Sequence, residues 1–469
     1  MSTPGTPRAV TATELRSRFA ERLSVLYGTE VPAYNTLVEV SREVNRRVLE
    51  REGADAERLG SIDRVTAERH GAIRVGTPTE MAQVARIFAA LGMHPCGFYD
   101  LRDARPAPVP VVSTAFRPLD RSELAANPFR VFTSMLVTED RRFFDQDLER
   151  RLREFLGRRE LFPEELLTLA DRATGHDELG AADADRFLEL ATACFALSPE
   201  PVDRAWYAEL ESVSGVAADI GGVSSTHINH LTPRVLDIDD LYRSMQARGI
   251  EMIDQIQGPP RWEGPDILLR QTSFRALAER RSFREADGSI GEGSLRVRFG
   301  EVEARGIAVT PAGRDLYETM LTQVDARLRA AGKGEPRQEV AARVWREHLP
   351  ATETELVQRG LGYFRFRVAD PARAGGVAPD LAALLAAGAL VAEPIVYEDF
   401  LPRSAAGIFA SNLTGNGRMD ADQGGAERDL DSMSEVIGRP VAVPEEGYAA
   451  ESAASVAEVE RDLGIGLSS

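Results

Sequence analysis

Two of the chain's six histidines, His227 and His230, lie in one polar run that extends from Thr226 to Asp239 and also contains Asn, Thr, Arg and Asp side chains. Imidazole is the commonest protein ligand for a catalytic metal, so the run is a candidate metal site. An H-x-x-H pair alone is more often structural, with one histidine bonded to the backbone and the other exposed. The pair therefore needs partners from elsewhere in the chain.

A second candidate group lies on the predicted strand His70–Gly76. Alternate side chains of a strand point to the same face, so His70, Ala72 and Arg74 share one face. A metal ligand and a fixed cation separated only by alanine would suit a metal-chelating carboxylate substrate. The alternative is that Arg74 pairs with a surface acid and His70 faces solvent. No acid lies within the Gly71–Val75 run, so either a bound ligand or an acid distant in the sequence could supply the partner of the guanidinium.

The carboxylate candidates are Glu301 and Glu303, which share one face of a predicted strand and follow Gly300, a residue that permits close backbone approach. Two histidines and one carboxylate form the facial triad of non-haem Fe(II) oxygenases, which leaves positions open for a bidentate substrate and O2. The alternative is that both glutamates are exposed residues interspersed with three arginines: Arg296, Arg298 and Arg305.

The choice between His227 and His230 depends on a weak internal repeat. An Arg-Val pair follows His230 at the spacing at which the same pair follows His70. This favours His230 as the ligand and His227 as a residue that orients a ligand or the substrate by a hydrogen bond. The remaining histidines and both cysteines are expected to be structural or packing residues: His94, His176, His348, Cys96 and Cys194.

The composition limits the classes of partner. The chain has 469 residues, of which 43% are hydrophobic, enough for a large core. Its net charge of −18 argues against nucleic acid or an anionic membrane as a partner. Two cysteines without a CxxC spacing suit a reducing compartment. The polar start and the lack of a long apolar run predict a cytoplasmic protein.

The apolar periodicity predicts an α+β fold that positions these residues. A strand, a helix and three strands recur in the same order over residues 60–136 and 220–306, and such paired βαβββ units describe the vicinal-oxygen-chelate architecture. Residues 137–219 predict a helical insertion, and residues 307–469 are expected to pack on the core with peripheral helices. Residues 1–469 would then form a single large domain. The strands predicted after the helix of the second unit are Ile250–Ile253, Ile267–Phe274 and Leu295–Val302.

Five runs, which together span nearly the full chain, carry a family resemblance: Glu68–Gly76, His227–Arg234, Leu268–Phe274, Arg298–Glu301 and Tyr397–Pro402. They resemble the 2-oxoadipate dioxygenase/decarboxylase family. The resemblance implies a vicinal-oxygen-chelate-like core, an Fe(II) cofactor and conversion of 2-oxoadipate and O2 to 2-hydroxyglutarate and CO2 in lysine catabolism. It implies a small 2-oxo dicarboxylic acid and O2 as partners, and it leaves the oligomeric state open.

The resemblance also implies roles for single residues. It places one metal ligand on each of three strands: His70, His230 and Glu301. It assigns the substrate arginine to Arg74 and implies that the segment before Ser404 contacts the far end of the substrate. The sequence departs from the family's pattern at Arg403, where a small apolar residue such as valine is expected. A side chain of Arg403 that faced the site would change the preferred length or charge of the substrate.

Two other functions suit the same residues. One is a glyoxalase-like isomerase or hydrolase on the same scaffold, which would use Zn²⁺ or Ni²⁺ and consume no O2. The other is a metal-dependent binding module without catalytic activity, which would turn over no 2-oxo acid. The identity of the bound metal, the uptake of O2 and the turnover of 2-oxo acids distinguish the three hypotheses.

Overall fold

The structure is a computed structural model that describes residues 9–104, 108–175, 179–331, 335–412, 419–420 and 422–467. Strands within these ranges form a five-stranded sheet and three smaller sheets. In chain order the strands are β1 (Arg69–Val75), β2 (His94–Asp100), β3 (Val111–Arg117), β4 (Arg130–Leu136), β5 (Val202–Asp203), β6 (His230–Pro233), β7 (Leu269–Ser273), β8 (Glu279–Arg284), β9 (Ile290–Leu295), β10 (Glu301–Arg305), β11 (Phe364–Val368) and β12 (Leu390–Pro394).

Helices surround these sheets. In chain order they are α1 (Ala12–Glu30), α2 (Ala33–Glu52), α3 (Ile62–Ala67), α4 (Pro78–Ala90), α5 (Arg121–Ala126), α6 (Gln146–Leu156), α7 (Glu164–Thr174), α8 (Ala181–Ala193), α9 (Arg204–Val213), α10 (Gly215–Gly221), α11 (Ile238–Ala247), α12 (Pro311–Ala331), α13 (Arg337–His348), α14 (Glu353–Gln358), α15 (Leu381–Ala386), α16 (Pro402–Asn412), α17 (Leu430–Ile437) and α18 (Pro444–Leu463). Reciprocal hydrogen bonds between a threonine cap and a glutamate begin α1 and α4, which explains where both helices start.

The first βαβββ unit consists of β1, α4, β2, β3 and β4. Its strands lie in the order β2-β3-β4-β1, with β1 parallel to β4 and β3 antiparallel to both of its neighbours. Every residue of β1, β3 and β4 is buried, because other elements cover both faces of the sheet. The charged residues of these strands therefore need partners inside the protein.

The second unit repeats this topology. A parallel bridge between Arg234 and Glu303 joins the end of β6 to β10, and β10 pairs antiparallel with β7. Met252 and Gln257 form antiparallel bridges along the other edge of β7, opposite β10. The segment that contains Met252 and Gln257, then β7, β10 and β6, lie in the same order as β2, β3, β4 and β1. The predicted α+β class with paired βαβββ units is therefore confirmed.

The predicted strand bounds in this unit are wrong in two places. Ile250–Ile253 contributes only an isolated bridge at Met252. Leu295–Val302 is not one strand, since Leu295 ends β9 and β10 begins at Glu301. The physical reason is an inserted hairpin, β8–β9, which pairs with β5 of the helical region instead of the core. Its Asp287-Gly288 turn, with φ of 84° at Gly288, is the sequence signal for this hairpin.

The two units join where β1 and β6 run antiparallel. Thr232 lies opposite His70, and His230 lies opposite Ala72. Residues paired across a sheet point to the same face, so His70 and His230 are diagonal neighbours on one face. Pairing of the two first strands is therefore what brings the candidate histidines together.

The remaining regions pack around this core. Residues 137–219 contain α6 to α9 and part of α10, which agrees with the predicted helical insertion, while a parallel bridge between Ile267 and Ile307 joins the C-terminal region to the core. The division of the chain into these regions and a single domain stays a prediction. In the part of the chain that the structure describes, no helix is both long and apolar enough to cross a membrane.

Candidate metal centre and substrate site

Three buried side chains from three strands converge at one point: His70 of β1, His230 of β6 and Glu301 of β10. Glu301 Oε2 lies 3.1 Å from His70 Nε2 and 2.6 Å from His230 Nδ1. One possible ligand atom of each residue lies within 4.8 Å of the other two, and no other such group occurs within the described ranges. The structure thus brings together the three residues that the sequence suggested as metal ligands.

Two further polar side chains orient the Glu301 carboxylate. Thr232 donates its hydroxyl to Oε2 at 3.1 Å, and Gln271 Nε2 donates to Oε1 at 3.4 Å. Thr232 shares a strand face with His230, and Gln271 lies on the neighbouring strand β7. Sequence reasoning missed both residues, although each lies in a run that resembles the family.

Close packing fixes the backbone beside the candidate ligands. A Cβ atom at Gly300 would lie 1.8 Å from Cε1 of Phe274, so glycine is required at this position. The Tyr27 hydroxyl of α1 lies 3.0 Å from the carbonyl oxygen of Asn229 and 2.8 Å from that of Phe299. The N-terminal helix therefore holds the backbone next to two of the three ligands, a role that its apolar spacing did not predict.

Burial and neighbouring charges shift the proton affinities of these side chains. Burial lowers the pKa of His230 in spite of the adjacent Glu301 carboxylate. Burial also acts against the charge of His70, but the carboxylates of Glu303 and Glu301 together raise its pKa. Burial alone would raise the pKa of Glu301, yet His230 and His70 hold that pKa well below its usual range. Glu301 is therefore ionised, which is the form that binds a cation.

Glu303 approaches His70 from the side opposite Glu301. Its Oε2 lies 2.8 Å from His70 Nδ1, and its two oxygens accept hydrogen bonds from Nε and Nη2 of Arg305 at 2.7 and 2.9 Å. Glu301 and Glu303 are 3% and 0% exposed. The alternative of two exposed glutamates among arginines is therefore wrong.

Arg74 is buried, and its guanidinium forms an ion pair with Asp219 of α10, 145 positions later in the chain. A distant part of the chain therefore supplies an acid partner for Arg74, which is the long-range alternative to a bound ligand. Burial would raise the pKa of Asp219, but His227 and Arg74 hold it below its usual range. The alternative of a surface ion pair and a solvent-facing His70 is wrong as well, since both side chains are buried.

His227 lies beside this ion pair and not among the three converging residues. Asn229 Nδ2 lies 3.0 Å from His227 Nε2 and donates to Asp219 Oδ2 at 2.9 Å. The amide can donate to both, so Nε2 of His227 is an acceptor and the imidazole is neutral. Burial lowers the pKa of His227 to about 4, which agrees with this assignment. An orienting role for His227 stays a prediction.

The acid stability of the protein should depend on His227. Its pKa is about 4 in the folded chain and near the ordinary 6.5 when unfolded, so the unfolded state binds the proton first. The resulting stability is complete above pH 6.5 and is lost as the pH falls through 4. As the pH falls from 6.5 to 4, the unfolding free energy of the unmodified chain should decrease by roughly 3 kcal/mol more than that of His227→Gln. Urea denaturation at a series of pH values measures it.

Parallel curves for His227→Gln and the unmodified chain would show that His227 does not limit the acid stability.

The C-terminal run reaches the site through Phe400, whose ring centroid lies 5.0 Å from that of His70 in an edge-to-face contact. Ser404 follows on α16 as a buried residue. The Arg403 side chain is 45% exposed and pairs with Asp325 at 3.3 Å. Arg403, which departs from the family's pattern, thus places its charge at the surface. Phe400 itself was not singled out from the sequence.

The other histidines that the structure describes, and the cysteines, lie apart from the three converging residues. His94 begins β2 and is exposed, and His348 ends α13, where its Nε2 lies 2.8 Å from Gln323 Oε1. His176 lies outside the described residues, so its structural role stays a prediction. Both cysteines are free thiols that are at least partly buried: Cys96 and Cys194.

A comparison with protein families matches residues 19–412 to the 2-oxoadipate dioxygenase/decarboxylase family. The chain belongs to this family. The resemblance carried by the five sequence runs is therefore confirmed. Because the family is one of enzymes, membership argues against a binding module without catalytic activity.

Individual relatives match nearly the full length. The 2-oxoadipate dioxygenase/decarboxylase of Mycobacterium tuberculosis (strain ATCC 25618 / H37Rv) is 55% identical over 436 residues, which cover 92% of this chain and 94% of the relative. The protein of the same name from Escherichia coli (strain K12) is 40% identical over 443 residues, with coverage of 92% and 95%. The crystal structure of the hydroxyglutarate synthase in complex with 2-oxoadipate from Pseudomonas putida gives a TM-score of 0.82 at 35% identity and covers 98% of this chain and 100% of that one.

Proposed function

We propose that this protein is an Fe(II)-dependent enzyme that converts 2-oxoadipate and O2 to 2-hydroxyglutarate and CO2. The observation that carries the proposal is the convergence of His70, His230 and Glu301 in a buried site of a chain that belongs to the family. The reaction is balanced, because all atoms of the 2-oxo acid and O2 appear in the two products. A role in lysine catabolism and a cytoplasmic location stay predictions.

The converging residues suit Fe(II). Two imidazole nitrogens and one ionised carboxylate from three strands form a 2-His-1-carboxylate set, which leaves coordination positions open. Thr232 and Gln271 hydrogen-bond to separate oxygens of the Glu301 carboxylate and so hold it for the metal. Bound Fe(II) would supply the reactivity toward O2 and a point of chelation for the 2-oxo acid.

The substrate would be oriented by residues outside this set. In the proposal, Arg74 binds the remote carboxylate, since a guanidinium can grip a carboxylate through two parallel hydrogen bonds. Asp219 orients the Arg74 guanidinium through the ion pair between them. The segment before Ser404 would contact the same remote end of the substrate, and Phe400, earlier in the same run, packs on His70. Arg403 would contribute only its backbone, because its side chain pairs with Asp325 at the surface.

The proposal is tested with metal-free protein loaded anaerobically with Fe(II), Zn²⁺ or Ni²⁺ in separate samples. We expect O2 uptake and equimolar CO2 only with Fe(II), and 2-hydroxyglutarate as the product from 2-oxoadipate. Shorter and longer 2-oxo diacids and a monocarboxylic 2-oxo acid test the length and charge preference. Turnover with Zn²⁺ or Ni²⁺ in the absence of O2 would favour a glyoxalase-like isomerase or hydrolase, and metal binding without turnover would favour a binding module.

A further inference from the structure

Two carboxylates flank the imidazole of His70. Glu301 lies at Nε2, where the candidate metal ligands converge, and Glu303 lies at Nδ1 on the other side of the ring. Nδ1 lies 2.8 Å from Glu303 Oε2, within hydrogen-bonding distance, and no described residue makes a regular hydrogen bond to it. Glu303 is therefore the acceptor available to the second ring nitrogen of a candidate metal ligand.

Arg305 fixes Glu303 in this position. It lies two residues further along β10 and binds both carboxylate oxygens through the fork of its guanidinium. The geometry leaves Glu303 little freedom to turn away from His70, because two parallel hydrogen bonds restrain its carboxylate plane. Both side chains are fully buried.

Arg305 also contacts the C-terminal run. Its Nη1 donates to the carbonyl oxygens of Tyr397 and Asp399 at 2.8 and 3.1 Å, and its guanidinium lies 5.7 Å from the ring centroid of Phe400. Phe400 packs edge-on against the His70 ring. One arginine therefore contacts both the carboxylate behind His70 and the segment that leads to Ser404.

The charges around this pair are nearly balanced inside the protein. Arg130 lies 3.8 Å from Glu303 and 2.6 Å from Glu68, and Arg305 lies 3.3 Å from Glu68. All four side chains are 0% exposed. Buried charges are costly unless they are paired, and here each carboxylate lies beside at least one guanidinium. Removing the charge of Glu303 alone would disturb this balance.

We propose that Glu303, held by Arg305, is a positioning residue for the metal ligand His70. The Glu303 carboxylate would accept a hydrogen bond from Nδ1–H, which fixes the tautomer that presents Nε2 to the metal and makes the imidazole a stronger donor. Through Arg305, the same pair ties the orientation of His70 to the segment before Ser404. The inference rests on the proposed function, because it requires a metal on His70.

The test measures metal affinity directly. Metal-free full-length protein is titrated with Co²⁺, and the visible absorption of the bound ion reports occupancy without any turnover. We expect Glu303→Gln to bind Co²⁺ about 10- to 100-fold more weakly than the unmodified chain, the usual cost of losing a partner of a metal-bound histidine. Arg305→Lys, which keeps the charge but loses the fork, should fall between the two.

A matched control is available in Glu80, which accepts bonds from Arg159 Nε and Nη2 at 2.7 and 2.8 Å in a largely buried ion pair away from the three ligands. Glu80→Gln removes the same charge from the same geometry and should leave the Co²⁺ affinity unchanged. Equal weakening in Glu80→Gln and Glu303→Gln would reduce Glu303 to a general structural role and overturn the inference.

The remaining outcomes separate the two proposals. An unmodified chain that binds no Co²⁺ would overturn the proposed metal site itself. An unmodified chain that binds Co²⁺, with Glu303→Gln within twofold of it, would overturn only the role of Glu303. If Glu303→Gln does not fold, the double variant Glu303→Gln/Arg305→Gln removes both charges together and keeps the balance, and its Co²⁺ affinity decides the question by the same criterion.

Discussion

Replacing His230 with alanine is expected to abolish turnover and remove most of the bound metal while the fold is retained. His230 Nδ1 lies 2.6 Å from Glu301 Oε2, and His70 Nε2 lies 3.1 Å from the same oxygen. Loss of the His230 imidazole therefore leaves only two of the three candidate ligands. Loss of a residue that merely supports a ligand costs about 10- to 100-fold in metal affinity, and loss of the ligand should exceed that. Elemental analysis of the purified protein, with circular dichroism for the fold, measures the effect.

His227→Ala is the matched control for this experiment. His227 is as deeply buried as His230 but contacts Asn229 and Asp219 instead of the converging residues. We expect His227→Ala to retain its metal, with the principal change in the affinity for substrate. Full metal occupancy in His230→Ala together with metal loss in His227→Ala would show that the wrong histidine has been assigned.

The part of the site that the sequence predicts is the part built from strand alternation. His70 and Arg74 share a face because β1 is a regular strand, and His230 joins them because the two first strands pair. Glu301 and Glu303 also share a face, although the predicted strand ended where β10 begins. A prediction of which residues share a face can be correct even when the predicted strand bounds are wrong, because the side-chain period of two depends only on locally extended backbone.

The part that the sequence does not predict depends on contacts between distant segments. Asp219 reaches Arg74 from a helix of the insertion, 145 positions away, and no local pattern indicates that pairing. The Tyr27 hydroxyl reaches Asn229 and Phe299 across more than 200 positions. Such partners depend on how helices pack on the core, which a single sequence specifies only through the complete fold.

Replacing Arg74 with alanine is expected to weaken catalysis on 2-oxoadipate by about 2–5 kcal/mol of transition-state stabilisation, or roughly 30- to 5,000-fold in kcat/KM. The metal should be retained, because Arg74 is not among the converging residues. Arg74→Lys should recover only part of the loss, since a single ammonium does not reproduce the planar fork. Steady-state kinetics with 2-oxoadipate and with a 2-oxo acid that lacks the remote carboxylate measure the effect.

The ion pair with Asp219 complicates the single substitution. Arg74→Ala leaves the Asp219 carboxylate buried without its guanidinium, which destabilises the fold and also repels an incoming dicarboxylate. The double variant Arg74→Ala/Asp219→Asn removes both charges and keeps the amide contact that Asn229 can make. Its kcat/KM therefore reports the loss of the substrate contact without the added repulsion.

The comparison between substrates then decides the role of Arg74. If Arg74 binds the remote carboxylate, the double variant should lose much more activity on 2-oxoadipate than on the monocarboxylic 2-oxo acid, because only the first substrate carries the missing partner. Asp219→Asn alone should retain the preference for the diacid, since the guanidinium remains. An equal loss on both substrates would place Arg74 at the metal-chelating end of the substrate or in the structural core, because both substrates share the 2-oxo acid group and the same folded chain.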